Sequence, residues 1–244
     1  MERIKSFIVK FTPYLEDIRE RLYVISIVFA SFFVIGFLST SRILKYVLSF
    51  FDIENVIIAT TSPFQFADLS IDIGLFLAFC VSSPVLVYNL FRFLRPALTR
   101  TERLTFILLI PLATFLFFCG FSYGFFIMYY ALIVLAKINV VIGIQNIWDI
   151  GMFLSQIIFT STLLGVLFQF PIVLTVIIRS RFLSVGFLKE KRRVAVVLAV
   201  MCTALLPPTD GLSLIAMALP LILLYEATIL VNSRFVGSKI ITNF

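Results

Sequence analysis

The chain has 244 residues, of which 61% are apolar, 16% aromatic and only 14% charged, with a formal charge of +7. That composition leaves too little polar surface to coat a soluble globule, so residues 1–244 read as a single integral membrane domain. Histidine is absent, which excludes a Ser-His hydrolase and a His-liganded metalloenzyme.

Seventeen of the 20 Lys and Arg fall in residues 1–21, 91–103, 179–193 and 231–244, and the remaining connections hold only Arg42, Lys45 and Lys137. The positive-inside rule then predicts six spans with both termini on the cytoplasmic or matrix side, here the inner side. Such a concentration of basic residues is what insertion beside anionic lipid requires. No basic-aromatic reading motif accompanies it, so nucleic acid is not an expected partner. Cys80, Cys119 and Cys202 lie in apolar runs without CxxC spacing, so neither a metal nor another cofactor is expected.

The first 21 residues carry Glu2, Glu16, Asp17 and Glu20, whereas transit peptides are poor in acids. The N-terminus is therefore read as mature, in a protein made where it works, in a bacterium or from an organelle genome. A content of 29 Phe suits an AT-rich genome. Thr12-Pro13 predicts the start of a short inner-face helix, with Leu15, Ile18 and Leu22 on its membrane side. Asp17 stands four residues before Arg21, a helix-supporting ion-pair spacing.

The first span runs from Leu22 to Leu38. Residues 39–70 form a long outer connection, in which Ile43, Val47 and Phe50 suggest an interfacial helix and Ser62-Pro63 caps the next one. The second span covers Ile71–Leu90 around Pro84, and the third Leu104–Phe126 around Pro111. In the loop between them Glu102 is the sole acid among Arg92, Arg95, Arg100 and Arg103; it is either a binding group or simply neutralises Arg103. The fourth stretch, Ile150–Ile178, exceeds the roughly 20 residues that cross a bilayer and should tilt or bend at Pro171.

Val194–Leu206 supplies 13 residues, about 20 Å of helix, too short to cross unaided. Pro207-Pro208-Thr209-Asp210-Gly211 turns the chain on the outer side, and Leu212–Val231 returns around Pro220. This short hairpin must either thin the membrane or lie against longer neighbours. Within the spans, Gln156, Gln169 and Glu226 each need a partner away from lipid. Gln169 lies near the midplane. Glu226 is read as a snorkelling or protonated carboxyl near the inner interface, or as packed against Tyr225.

The order of these motifs closely resembles the TatC family of the twin-arginine protein translocase. Tyr14-Leu15-Glu16-Asp17-Ile18-Arg19-Glu20-Arg21-Leu22 resembles its H-L-x-E-L-R-x-R-L opening, and Ser62-Pro63-Phe64 its S/E-P-F lead into the second span. Ser83-Pro84-Val85-Leu86-Val87-Tyr88, Phe93-Leu94-Arg95-Pro96-Ala97-Leu98 and Glu102-Arg103 are similar to its S-P-V-x-x-Y, F-x-x-P-A-L and x-E-R signature. Phe168-Gln169-Phe170-Pro171 resembles F-E-x-P, and Pro207 to Asp210, Pro220 and Glu226 match its outer tip and last span in spacing. Asp17 stands for the usual glutamate at its position, and Gln169 for a common intramembrane glutamate.

The resemblance implies an all-α, glove-shaped bundle of six transmembrane helices with short fifth and sixth helices. It implies a non-enzymatic subunit that binds twin-arginine signal peptides at Asp17 and Glu102, with Arg19, Phe93 and Arg103 nearby. Gln169 and Glu226 would serve partner contact, with Asp210 at the outer tip. Implied partners are twin-arginine precursor proteins, TatA- and TatB-like single-span subunits, further copies of the chain in a homo-oligomer, and membrane lipid. Energy would come from the proton-motive force, since no Gly-rich phosphate loop exists. The mitochondrial inner membrane is the expected location, ahead of a thylakoid or bacterial inner membrane. The rival expectation is a secondary transporter or channel using Gln156, Gln169 and Glu226 as a path.

Overall fold

The computed structural model describes residues 2–49, 56–59, 62, 64–94, 100–141, 146–180, 182–208 and 210–241, with side chains described for 19–46, 62, 64–90, 92, 107–141, 149, 151–180, 182–208 and 210–234. Along the chain lie α1 (Glu2–Ser49), β1 (Val56–Ala59), α2 (Gln65–Leu94), α3 (Arg100–Val141), β2 (Asn146–Asp149), α4 (Ile150–Leu167), α5 (Phe170–Arg179), α6 (Val185–Glu190), α7 (Arg192–Ala204) and α8 (Gly211–Ile241). Arg19–Tyr46, Gln65–Leu90, Ile107–Val141, Gly151–Arg179 and Gly211–Arg234 are long and apolar enough to cross a membrane. The 13-residue α7, the fifth span in chain order and followed by α8, is the short member that brings this all-α bundle to six.

Two helices are longer than the sequence predicts. The expected inner-face helix and the expected interfacial helix around Ile43 are both parts of one continuous α1. Ser39-Thr40-Ser41 does not interrupt it, because the Thr40 hydroxyl donates back to the Phe37 carbonyl at 2.8 Å and stays satisfied inside the helix. Similarly, α3 does not stop near Phe126 but runs on to Val141. No proline or glycine falls in residues 127–141, and Tyr129 stacks on Phe125 with ring centroids 6.5 Å apart.

The fourth stretch is broken as expected. Pro171 has no N–H to offer Leu167, so the ladder tightens, with Gln169 N–H bonded to the Val166 carbonyl and Ile172 N–H to that of Gln169. Pro171 then lies in the first turn of α5. On the outer side, β1 and β2 pair in parallel, Val56 opposite Asn146 and Ala59 opposite Asp149. This unpredicted pair ties the α1–α2 connection to the α3–α4 connection.

Lipid tails are as apolar as leucine, so helices in a membrane adhere through close packing rather than through the hydrophobic effect. Glycines provide the close approaches. A Cβ on Gly36 of α1 would lie 2.8 Å from Gly74 Cα of α2, and one on Gly120 of α3 2.9 Å from Gly165 Cα of α4. Around these crossings Leu69, Ile73, Met128, Leu154 and Ile157 form the outer part of the core. Val87, Leu109, Ala113, Ile172 and Val176 form a second part, nearer the inner side.

Candidate functional site

A side-chain bond joins α1 to α2 near their inner ends. Arg21 Nη1 donates to the Asn89 carbonyl at 3.2 Å, although the two residues are 68 apart in sequence. Asn89 is itself buried, and its amide donates to the Val85 carbonyl at 2.9 Å. Because α1 and α2 run antiparallel here, one turn further inward carries the chain from Arg21 to Asp17 and from Asn89 to Phe93. The backbone positions of Asp17 and Phe93 therefore stand at a common level. Arg19 is exposed beside them, and Glu102 and Arg103 occupy the first turn of α3. The side chains of Asp17, Phe93, Glu102 and Arg103 lie outside the described residues.

Beyond this rim a cavity of about 680 Å3 lies between α1 and α2 on one side and α5, α7 and α8 on the other. Phe29, Phe79, Leu198 and Cys202 make its surface almost wholly apolar, with Ser82 and Gln169 as polar members. Gln169 Nε2 donates to the Ala113 carbonyl of α3 at 2.9 Å. Gln169 Oε1 and Ser82 Oγ are buried without a partner among the described residues, so both lie beneath the apolar wall and reaching either would require a shift of the side chains that cover it. Gln156 is half-buried on α4.

The expected short hairpin lies against longer neighbours. Thr160 of α4 is fully buried and donates to the Pro207 carbonyl at 3.0 Å. Thr160 comes nine residues after Gly151, so the hairpin tip docks about 14 Å along α4 from its outer end. Tyr123 of α3 likewise donates to the Ala216 carbonyl at 2.8 Å. At the tip Asp210 is exposed and caps α8, accepting the Ser213 N–H at 2.8 Å. Partial desolvation pushes its carboxyl up, but bonds from Ser213 and from the Leu212 N–H outweigh that and hold it below its usual 3.8. We expect Asp210→Ala to cost about 1 kcal/mol, the usual worth of such a cap. The carboxylate's contribution should be fully present above pH 3.8 and fade as pH falls through the lower folded value, which thermal unfolding of both proteins across that range would measure.

At the inner end of the hairpin Glu226 has a charged partner. Arg192 Nη2 lies 2.9 Å from Glu226 Oε2, with the side chains 50% and 38% exposed. Tyr225 donates past this pair to the Leu188 carbonyl at 2.8 Å, fastening α6 to α8. Because an exposed ion pair is worth at most about 1 kcal/mol, Glu226→Gln should shift unfolding only slightly; a loss of several kcal/mol would show that the pair is effectively buried.

Several polar ties were not foreseen from the sequence. Asp72 on α2 is buried and accepts a hydrogen bond from Ser155 of α4. Gln65 donates to Asp149, which caps α4 by accepting the Met152 N–H at 3.0 Å. Asn232 donates to Thr175 at 3.1 Å inside the α5–α8 contact. Asp72 was open to detection as the one acid in the second apolar stretch. Asn89 and Asn232 carry no sequence signal beyond being amides near span ends.

A family model described as Sec-independent protein translocase protein (TatC) matches residues 13–220. The chain is 27% identical to TatCy of Bacillus subtilis strain 168 over 242 residues, covering 95% of this chain and 92% of the relative. To TatC of Aquifex aeolicus strain VF5 it is 29% identical over 242 residues, covering 93% and 96%. A crystal structure of a twin-arginine translocase receptor TatC in the detergent DDM superposes with a TM-score of 0.76 at 27% identity, covering 89% of this chain and 98% of that one. Agreement in family model, in full-length relatives and in bundle geometry means that this chain belongs to the TatC family of Sec-independent protein translocase proteins.

Proposed function

We propose that this multi-span membrane protein is the receptor subunit of a twin-arginine translocase, a non-enzymatic component that docks paired-arginine signals at its inner rim. The observation that supports this reading is the Arg21–Asn89 bond, which ties the Asp17–Arg21 turn of α1 to the Asn89–Phe93 turn of α2. Two carboxylates on such a rim suit two guanidiniums, since the planar fork pairs with carboxylate bidentately where an ammonium cannot. Arg19, Phe93 and Arg103 would border the bound signal.

The apolar cavity adjoins this rim, with Gln169 among its lining residues. Its apolar wall suits the apolar part of a signal peptide or a TatA- or TatB-like single span. The outer surface of α7 and α8, with Val197, Met201, Ile215 and Leu219 exposed, extends the surface available to such spans. Folded precursor proteins would be the cargo, and the proton-motive force the energy source. For location we infer the mitochondrial inner membrane from the Phe-rich composition; immunolocalisation to thylakoids would overturn that.

The test is binding of a fluorescent twin-arginine signal peptide to the purified full chain in detergent, beside a twin-lysine version. Preference for arginine is expected. Equal binding of both peptides by folded protein would refute the receptor role.

A further inference from the structure

A band of charge sits deep on the side of the bundle formed by α6, α7 and α8. Arg192 meets Glu226 at 2.9 Å and Tyr225 donates to the Leu188 carbonyl at 2.8 Å, so residues 188–192 are fastened to α8 at Tyr225 and Glu226. Glu226 comes eight residues before Arg234, where the apolar span Gly211–Arg234 ends. These ties therefore lie about 12 Å outward of that end. In a hydrocarbon layer about 30 Å thick, that depth is well within the inner leaflet. Lys189, Lys191 and Arg193 are nevertheless exposed there, with Glu190 as the single acid among them. Lys191 lies 5.9 Å from the Phe187 ring centre, while Lys189 and Arg193 have no ion-pair or hydrogen-bond partner among the described residues.

Helical bonding runs almost unbroken from α6 into α7, since the Lys191 N–H donates to the Phe187 carbonyl and the Lys191 carbonyl accepts the Ala195 N–H. Steps of four residues then place Lys189, Arg193, Val197 and Met201 along one line, and all of them are exposed. That line is apolar toward the outer side and cationic at its inner end. Acyl tails cannot solvate an ammonium or a guanidinium, whereas a phosphate can, and the Arg193 fork matches its geometry. From this arrangement we propose that the α6–α7 face holds an anionic phospholipid of the inner leaflet, with its phosphate between Lys189 and Arg193 and its chains along Val197 and Met201. Charge selects the headgroup, because basic clusters at the inner face favour anionic lipid over lipid without net charge. Depth excludes an acidic soluble protein, which would have to enter hydrocarbon to reach the two cations. Phe182 and Phe187, 77% and 46% exposed on the same segment, suit the boundary between headgroups and chains. The site uses no residue of the signal rim, so it stands apart from the receptor reading.

Native mass spectrometry of the full chain alone in detergent, with equimolar dioleoyl phosphatidylglycerol and dioleoyl phosphatidylcholine, tests the proposal. Phosphatidylglycerol should be retained about tenfold more strongly, the weight of one or two cations near an anionic headgroup. The double variant Lys189→Gln/Arg193→Gln should lose most of that preference while its unfolding temperature stays near wild type, because both side chains are exposed. Lys189→Arg/Arg193→Lys should keep the preference. So should Arg42→Gln/Lys45→Gln, which takes the same charge from the outer end of α1. Equal retention of the two lipids by wild type overturns the site, as does a preference that falls equally in the outer and inner double variants. A preference that survives Lys189→Gln/Arg193→Gln also overturns it and leaves those cations to an acidic residue of a partner span. Displacement of phosphatidylglycerol by excess inorganic phosphate would mean that the pair takes a free anion rather than a lipid.

Discussion

Glu102→Gln is expected to weaken binding of a twin-arginine signal peptide by about ten- to a hundredfold, roughly 1.4 to 2.8 kcal/mol. A guanidinium about 4 Å from a carboxylate gains about 4 kcal/mol at an effective dielectric of about 20, and desolvation returns part of that. Gln keeps the shape of Glu but presents one acceptor oxygen and an NH2 donor in place of two acceptor oxygens, so the loss combines the charge with one arm of the bidentate pair. Asp17→Asn should weaken binding less, because aspartate is one methylene shorter than glutamate. The twin-lysine peptide should bind wild type poorly and respond little to Glu102→Gln, since its ammonium groups never made the bidentate pair. Unchanged twin-arginine affinity in folded Glu102→Gln protein would remove Glu102 from the site.

The second large effect is on assembly of the bundle. Gly120→Val should destabilise the protein by about 3 kcal/mol, the upper range for overpacking, seen as a fall in unfolding temperature in detergent. A Cβ at Gly120 would lie 2.7 Å from Phe168 Cγ, 2.8 Å from the Leu164 carbonyl oxygen and 2.9 Å from Gly165 Cα. Two of those three are backbone atoms of α4, which cannot move aside as a side chain can. Gly211→Ala is the matched control, with nothing within 4 Å of the added carbon, and should change stability by no more than about 0.5 kcal/mol. Equal effects of the two substitutions would mean that the α3–α4 crossing is looser than its geometry indicates. Displacing α4 would also carry Leu167 and Gln169 away from the cavity they line, so Gly120→Val should impair binding of partner spans along with stability.

Much of this architecture was legible because membrane insertion obeys one-dimensional rules. Runs of apolar residues bounded by Arg and Lys need only be long enough to cross hydrocarbon, so the spans around Pro84, Pro111 and Pro220 appear in the chain itself. The break before Pro171 was legible for the same local reason, a missing N–H. The shortness of α7 followed from counting residues between Arg193 and Pro207. The lengths of α1 and α3 were not legible, because a polar patch such as Ser39-Thr40-Ser41 signals a helix end only where its groups need water. Thr40 satisfies its hydroxyl within the helix, and the chain continues.

The sequence by itself determined the membrane class, the number and order of spans, the inner placement of the basic loops and the residue types from which a signal rim can be built. Each of these depends on local composition or spacing. The tertiary structure alone decided that Arg21 meets Asn89, that Glu226 meets Arg192, that the hairpin tip docks on Thr160 and that Asp72 meets Ser155. These contacts join residues 34 to 83 positions apart, and they arise only once packing has set the distance and rotation between helices. Hydropathy carries no information about rotation around a helix axis that is apolar on nearly every face, so the partners of polar residues inside the bundle had to come from packing.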